Sequence, residues 1–197
     1  RKRYSPFSPS RFFLNSVKEK RPDLIGISFN SFNRGAAFQI LRNIKKIDRD
    51  IIVVLGGIHP STLYDQVFQY FYDDLEFIIR SEGEAPFYKL CNALENKQGY
   101  INISGLVYKA DKGSFISNPV NEIVNDLDDL PLPDFSFVAE EIGKKETAYL
   151  ITSRGCPVNC IFCSTSSFWG QSIRMNSPER VWKEVEYVKS LGSKRIF

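Results

Sequence analysis

No apolar run in this sequence approaches the roughly 20 residues that a membrane-spanning helix needs, so no such helix is predicted. No charge sign dominates: a net charge of +3 over 197 residues is too small to point to nucleic acid. The start carries no signal-peptide pattern, since its only apolar patch, Phe12 to Leu14, is too short for a hydrophobic region. Arg1-Lys2-Arg3 reads as a solvated loop rather than a nucleic-acid arm. Internal repeats and low-complexity segments are missing. No acid/base dyad stands out, and Asp126, Asp128 and Asp129 read as a solvated acidic face. Histidine is almost absent, with His59 the only one. Cysteine is scarce as well: four residues without pairing spacing fit a reducing cytoplasm rather than a disulfide framework. What is present is ordinary globular material, 43% hydrophobic and 25% charged.

Three of the four cysteines are concentrated in one stretch, CPVNCIFC: Cys156, Cys160 and Cys163, with Phe162 just before the last. Three thiolates on a tight loop can hold three corners of an iron–sulfur cube and leave the fourth iron open for a small molecule. A structural zinc site usually takes four ligands, and here the fourth would have to come from Cys91 or His59, both remote in sequence. Cys91 sits among apolar residues at helical spacing and reads as core packing.

The surroundings read as one β/α unit. Ala148 to Ile151 is predicted to be a short buried strand, ended by Arg154-Gly155. Ser177 is a good N-cap, Pro178 suits the first helical position, and Gly192 is a natural stop. Lys194 to Phe197 reads as a second strand, which favours a parallel sheet. Ligands of such sheets bind beyond the carboxyl ends of the strands, where the cysteines lie. One unit of this kind cannot close a barrel, so the chain is expected to be a piece of a longer protein and poorly soluble alone.

YLITSRGCPVNCIFC resembles the cluster loop of radical S-adenosylmethionine (SAM) enzymes, and SPERVWKEVEYVKSLG resembles the first helix of their partial barrel. The resemblance implies that Cys156, Cys160 and Cys163 bind a 4Fe–4S cluster, that SAM binds its open iron, and that Phe162 lies near the adenine. It also implies reductive cleavage of SAM to a 5′-deoxyadenosyl radical, an electron donor such as flavodoxin or ferredoxin, and a small-molecule substrate. Arg154 and Gly155 are candidates for shaping the loop, with a surface charge the equal alternative for Arg154; Trp169 and Gly170 are candidates for lining the site, although Trp169 reads more readily as packing.

The first half alternates strand and helix signals: Leu24 to Phe29, Ala36 to Ile47, Ile51 to Leu55, Ser61 to Phe71, Leu75 to Ile79, and Ala85 to Leu94. The order βαβαβα predicts a doubly wound, Rossmann-like (flavodoxin-like) α/β sheet whose carboxyl-end loops form the binding edge. GLVYKADKGSFIS, residues 105–117, reads as a hairpin turning at Asp111-Lys112-Gly113. Residues 1–100 are thus expected to form this domain, 101–140 a hairpin and linker, and 141–197 the start of a truncated partial TIM barrel.

PDLIGISFNSF, VVLGGIHPS and FIIRSEGEAPF resemble the three binding loops of the cobalamin-binding domain that precedes the barrel in many radical SAM enzymes. The resemblance implies cobalamin contacts from Ser28, Ser31, Gly56, Gly57, Glu82 and Gly83. LDDLPLPDF, residues 127–135, resembles the interdomain linker, stiffened by Pro131 and Pro133. His59 does not occupy the place of the cobalt-ligating histidine of related proteins and reads instead as a helix cap or a neighbour of the corrin. The implied reaction is methyl transfer or oxidative cyclisation. The alternatives are a radical SAM enzyme whose first domain binds nothing, a methylthiotransferase, and a non-catalytic zinc module.

Overall fold

The computed structural model describes residues 11–197 and divides into two compact units, the first ending at Ile123 and the second running Val124–Phe197. The loop reading of residues 1–10, including Arg1-Lys2-Arg3, lies outside the described residues.

In the first unit, α1 (Arg11–Lys20) leads into β1 (Leu24–Ser28), α2 (Arg34–Ile47), β2 (Ile52–Gly56), α3 (Ile58–Thr62), α4 (Tyr64–Tyr70), β3 (Phe77–Ile79) and α5 (Glu84–Glu95). β4 (Leu106–Lys109) and β5 (Phe115–Ser117) follow. One sheet takes the order β1-β2-β3-β4-β5, parallel across β1, β2 and β3 and antiparallel from there on. The predicted hairpin exists, with a 3₁₀ turn at Asp111–Gly113, and it extends the sheet of this unit.

Both sheet faces are covered, which is the doubly wound arrangement. Ala37, Leu41 and Ile44 of α2 pack with Val67 and Phe68 of α4 against Val53, Leu55 and Ile78. On the other face Leu90 and Ala93 of α5 meet Val54, Phe77 and Ile79. Successive strand residues alternate between the two cores, as period-two side-chain geometry requires. Each fully buried Leu or Ile contributes about 1.5–3 kcal/mol. Lys45, buried near the end of α2, donates to the Ile51 carbonyl (2.7 Å) and to Glu76 Oε1 (2.7 Å). Glu76 Oε2 in turn accepts from the Val53 N–H, so this pair fixes helix end to strand start.

Two elements differ from expectation. The helix expected over Ser61 to Phe71 starts earlier and breaks at Leu63. Ser61 and Thr62 hydroxyls donate to the carbonyls of Gly57 and Ile58 four residues back, a bond that bends helices. β3 begins at Phe77 rather than Leu75, because the Leu75 N–H is bound back to the Phe71 carbonyl.

In the second unit come α6 (Ala139–Lys145), β6 (Thr147–Ala148), β7 (Ser153–Arg154), α7 (Thr165–Trp169), β8 (Arg174–Met175), α8 (Pro178–Ser190) and β9 (Arg195–Ile196). β6 and β9 are parallel and joined through α8, the expected β/α unit. Ser177 caps α8 by accepting from the Arg180 N–H, with Pro178 at the first turn. Gly192 (φ 95°) ends it: its N–H reaches the Lys189 carbonyl and that of Ser193 the Val188 carbonyl. The strand expected over Ala148 to Ile151 is shorter and less buried. Ala148 is covered, but Tyr149 and Ile151 are 74% and 65% exposed. Tyr149 stacks on the Phe197 ring at 5.8 Å, which leaves most of its surface open.

Residues 127–135 are more than a bare connector, although Asp126, Asp128 and Asp129 stay exposed, as the acidic-face reading expects. The Arg180 guanidinium donates to the carbonyls of Asp128, Leu130 and Pro131. Asp128 Oδ1 accepts from the Ser177 N–H, and Tyr187 donates to Asp134. These bonds hold both aspartates below the usual carboxylate range, Asp128 through Ser177 and Asp134 through Ser136. Arg180 also pairs with Glu184 at 3.2 Å, and the two side chains are only 10% and 4% exposed. Replacing Arg180 by Met leaves Glu184 buried without its cation, and the expected loss is about 3 kcal/mol in the unfolding of this unit. Denaturant titration checks it; a variant within about 0.5 kcal/mol of wild type would show that the strap is not held this way.

Candidate functional site

Two constellations stand out, one in each unit. In the first, the carboxyl ends of β1, β2 and β3 carry the loops Ser28–Asn33, Gly56–His59 and Arg80–Gly83. They are cross-tied. The Phe29 N–H donates to the Gly56 carbonyl (3.0 Å), and the Ser61 hydroxyl accepts from the Ser81 N–H (3.0 Å). Gly57 has φ 92°, and a Cβ there would lie 2.6 Å from the Phe29 carbonyl oxygen and 2.9 Å from Ser28 Oγ. The missing side chain at Gly57 is therefore filled by the neighbouring loop of the same chain. Gly56 has ordinary room, and Gly83, which precedes α5, faces open space.

Ser28 and Ser31 are exposed at this edge, whereas Glu82 is buried at 4% exposure. His59 is also buried, and its Nδ1 lies 2.9 Å from the Ser31 hydroxyl. It makes no helix-capping bond; it joins two binding loops and packs against Phe29 and Phe38. Sequence reading passed over Phe32, which is 95% exposed next to Ser31. Asn30 Oδ1 accepts from the N–H groups of Phe32 and Asn33, so the loop that presents this ring is internally bonded. An exposed aromatic inside a binding loop was the available signal.

Burial, and then the nearby Arg34 charge, lowers the His59 pKa below 6.5. The unfolded chain thus binds a proton more readily than the folded one, and stability rises with pH across that window. The His59 contribution is complete above about pH 6.5 and is lost as the pH falls through the lower folded value. In His59→Gln the pH dependence of unfolding between pH 7 and 5 should flatten; an unchanged slope would contradict this placement.

In the second unit, β7 and β8 form a two-rung antiparallel ladder that closes the base of the cysteine loop. Gly155 (φ 93°) follows β7, and a Cβ there would fall 2.0 Å from the Ser172 carbonyl oxygen. The Cys156 N–H reaches the Gly170 carbonyl, and Arg174, buried below, donates to the Trp169 carbonyl. Arg154 lies over the Trp169 ring at 4.8 Å, so Trp169 packs at the base of the loop.

On this base sit the three thiols, all free: Cys156 and Cys160 half-buried and Cys163 exposed. Cys163 Sγ is 3.2 Å from Thr165 Oγ1. Hydrogen bonds from the Thr165 side chain and backbone lower the Cys163 pKa, which favours the thiolate form that binds metal. Val158, Ile161 and Phe162 project outward, the last at 89% exposure. Among the described residues no three His, Cys, Asp or Glu side chains converge on a point that would hold one metal ion. A larger group bound by three accessible thiols of one loop matches this donor set in its chemistry. Cys91 is half-buried on α5, away from this loop in sequence and in the other unit.

Residues 7–90 match the B12 binding domain family. The chain is 30% identical over 172 residues to an uncharacterized methyltransferase of Pyrococcus horikoshii, covering 86% of this chain and 37% of that protein. It is 30% identical to the anaerobic magnesium-protoporphyrin IX monomethyl ester cyclase of Rubrivivax gelatinosus, covering 87% and 33%. The solved structure of OxsB, a cobalamin-dependent SAM radical enzyme with aqua-cobalamin and SAM bound, superposes with a TM-score of 0.76 at 27% identity, over 91% of this chain and 25% of that one. The chain thus carries a B12-binding domain and is similar across most of its length to cobalamin-dependent radical SAM enzymes. It spans about a third of the length of the curated relatives it matches. The B12-binding match ends within α5 and takes in all three cross-tied loops of the first unit. Among the described residues no helix is long and apolar enough to cross a membrane.

Proposed function

We propose that this protein is a cobalamin-dependent radical SAM enzyme, of the methyltransferase or oxidative cyclase class, acting on a small-molecule substrate. One observation carries the reading: three free thiols displayed on a single loop whose base is closed by β7, β8 and the Gly155 contact. Cys156, Cys160 and Cys163 would hold a 4Fe–4S cluster, which supplies the electron for reductive cleavage of SAM to a 5′-deoxyadenosyl radical. The chain's own part is to present the thiolates, to keep the loop base rigid through Gly155 and Arg174, and to offer Phe162 as an apolar face for the adenine. A flavodoxin- or ferredoxin-like donor in the cytoplasm would provide the electron.

In the first unit Ser28, Ser31 and Gly83 would face cobalamin directly, with Gly56, Gly57 and Glu82 shaping the loops behind them. The accessible hydroxyls, the open space at Gly83 and the exposed Phe32 ring suit a large flat ligand with a polar rim. Bound cobalamin would supply a methyl group or a corrin-centred redox partner. His59, already bonded to Ser31, would steady the loop rather than ligate cobalt.

The test is anaerobic reconstitution with iron, sulfide and hydroxocobalamin, followed by desalting. Retained corrinoid absorption bands together with about four irons per chain are expected on this reading. Zinc in a colourless protein would overturn it, and a cluster without corrinoid would leave a radical enzyme whose first domain does not bind cobalamin.

A further inference from the structure

The Thr165 hydroxyl lies 3.2 Å from Cys163 Sγ and has no part in the cluster-ligand set proposed above. Its place is fixed by more than the loop itself. It opens α7, whose Phe168 is buried and whose first turn is closed by the Phe168 N–H on the Ser164 carbonyl (2.9 Å). The Cys163 N–H is bonded to the Cys160 carbonyl (3.1 Å), so sulfur and hydroxyl are both held from the backbone side. With Cys163 as a thiol, the S–H donates to the hydroxyl oxygen. With Cys163 as a metal-bound thiolate, which has no proton to give, the hydroxyl donates to sulfur.

We propose that Thr165 is a positioning residue that sets the reduction potential of the cluster by donating a hydrogen bond to the Cys163 thiolate. This rests on the cluster assignment above. Adding one electron to a thiolate-ligated cluster raises the negative charge on its sulfurs. A donor aimed at one of them stabilises the reduced form more than the oxidised form. Outer hydrogen bonds of this kind tune metal centres without ligating them. Removing the hydroxyl should make the cluster harder to reduce, which matters for an enzyme whose reaction begins with a reduced cluster.

The experiment is a mediator-poised redox titration of the anaerobically reconstituted protein, read by electron paramagnetic resonance of the reduced cluster, with dithionite as reductant. Thr165→Val removes the donor at nearly constant shape; Thr165→Ser retains it. At a fixed poise near the wild-type midpoint, the ratio of reduced to oxidised cluster should fall about fivefold in Thr165→Val and stay near wild type in Thr165→Ser. Coincident midpoints for wild type and Thr165→Val, with a full cluster in each, would overturn the inference and leave the cluster assignment standing. Equal shifts in Val and Ser variants would also overturn it, because loop disturbance would then be the cause. A wild-type protein that assembles no cluster would remove both.

Discussion

Replacing Cys156, Cys160 or Cys163 individually by Ala is expected to abolish cluster assembly and, with it, formation of deoxyadenosine from SAM. The effect should be a fall of roughly 10³-fold or more, because a cube anchored by only three thiolates becomes labile when it loses one, and the radical step has no other electron source. The three replacements should be equivalent even though the thiols differ in exposure. Cys163 is exposed and drawn toward thiolate by Thr165, whereas Cys156 and Cys160 are half-buried. Cys91→Ala, on α5 in the other unit, should leave cluster content and activity unchanged. Iron and sulfide analysis beside product chromatography checks the series. Deoxyadenosine at wild-type rate from any of the three variants would contradict the assignment.

The second large effect is expected where no ligand is touched. In Gly155→Ala every cysteine remains, yet the added Cβ would lie 2.0 Å from the Ser172 carbonyl at a φ of 93°. Backbone faces backbone there, so no side-chain rotamer can relieve the clash, and the left-handed conformation adds strain of about 1–3 kcal/mol. With overpacking included, the total cost is up to about 5 kcal/mol. The least costly relief is opening of the β7–β8 ladder, which would release the base of the cysteine loop. Cluster content should therefore collapse, while the first unit still binds corrinoid through its separate loops. The double readout separates this result from global misfolding: corrinoid retained and iron lost is expected. Wild-type iron content in Gly155→Ala would show that the loop base is not closed as described.

Much of this was legible in the residues. The strands around Ile52 and Leu24, the helix around Leu41, the Ser177-Pro178 cap and the Gly192 stop are local signals, and each appears as predicted. The cysteine spacing drew attention to the loop of Cys156, Cys160 and Cys163 without help from the fold. What was not legible depended on long-range contacts. The acidic residues Asp126, Asp128 and Asp129 are exposed as predicted, but nothing local announces that Ser177 and Arg180, some fifty residues later, bond the Asp128 carboxylate and backbone carbonyl. Ala148 to Ile151 looks buried because its residues are apolar, but apolar sequence does not say which face has a neighbour. Gly57 stands out in the sequence as half of a Gly-Gly pair, but that the Phe29 backbone occupies the space a side chain would need is a long-range contact. His59 looked like a cap because Pro60 follows it, and its bond to Ser31 crosses between two loops.

The most direct test of the central claim is to incubate the anaerobically reconstituted protein with SAM and dithionite and to quantify 5′-deoxyadenosine. Deoxyadenosine formed in proportion to cluster content, and missing when either cluster or dithionite is withheld, is the predicted result. A fully loaded cluster that leaves SAM intact under strong reduction would contradict the account.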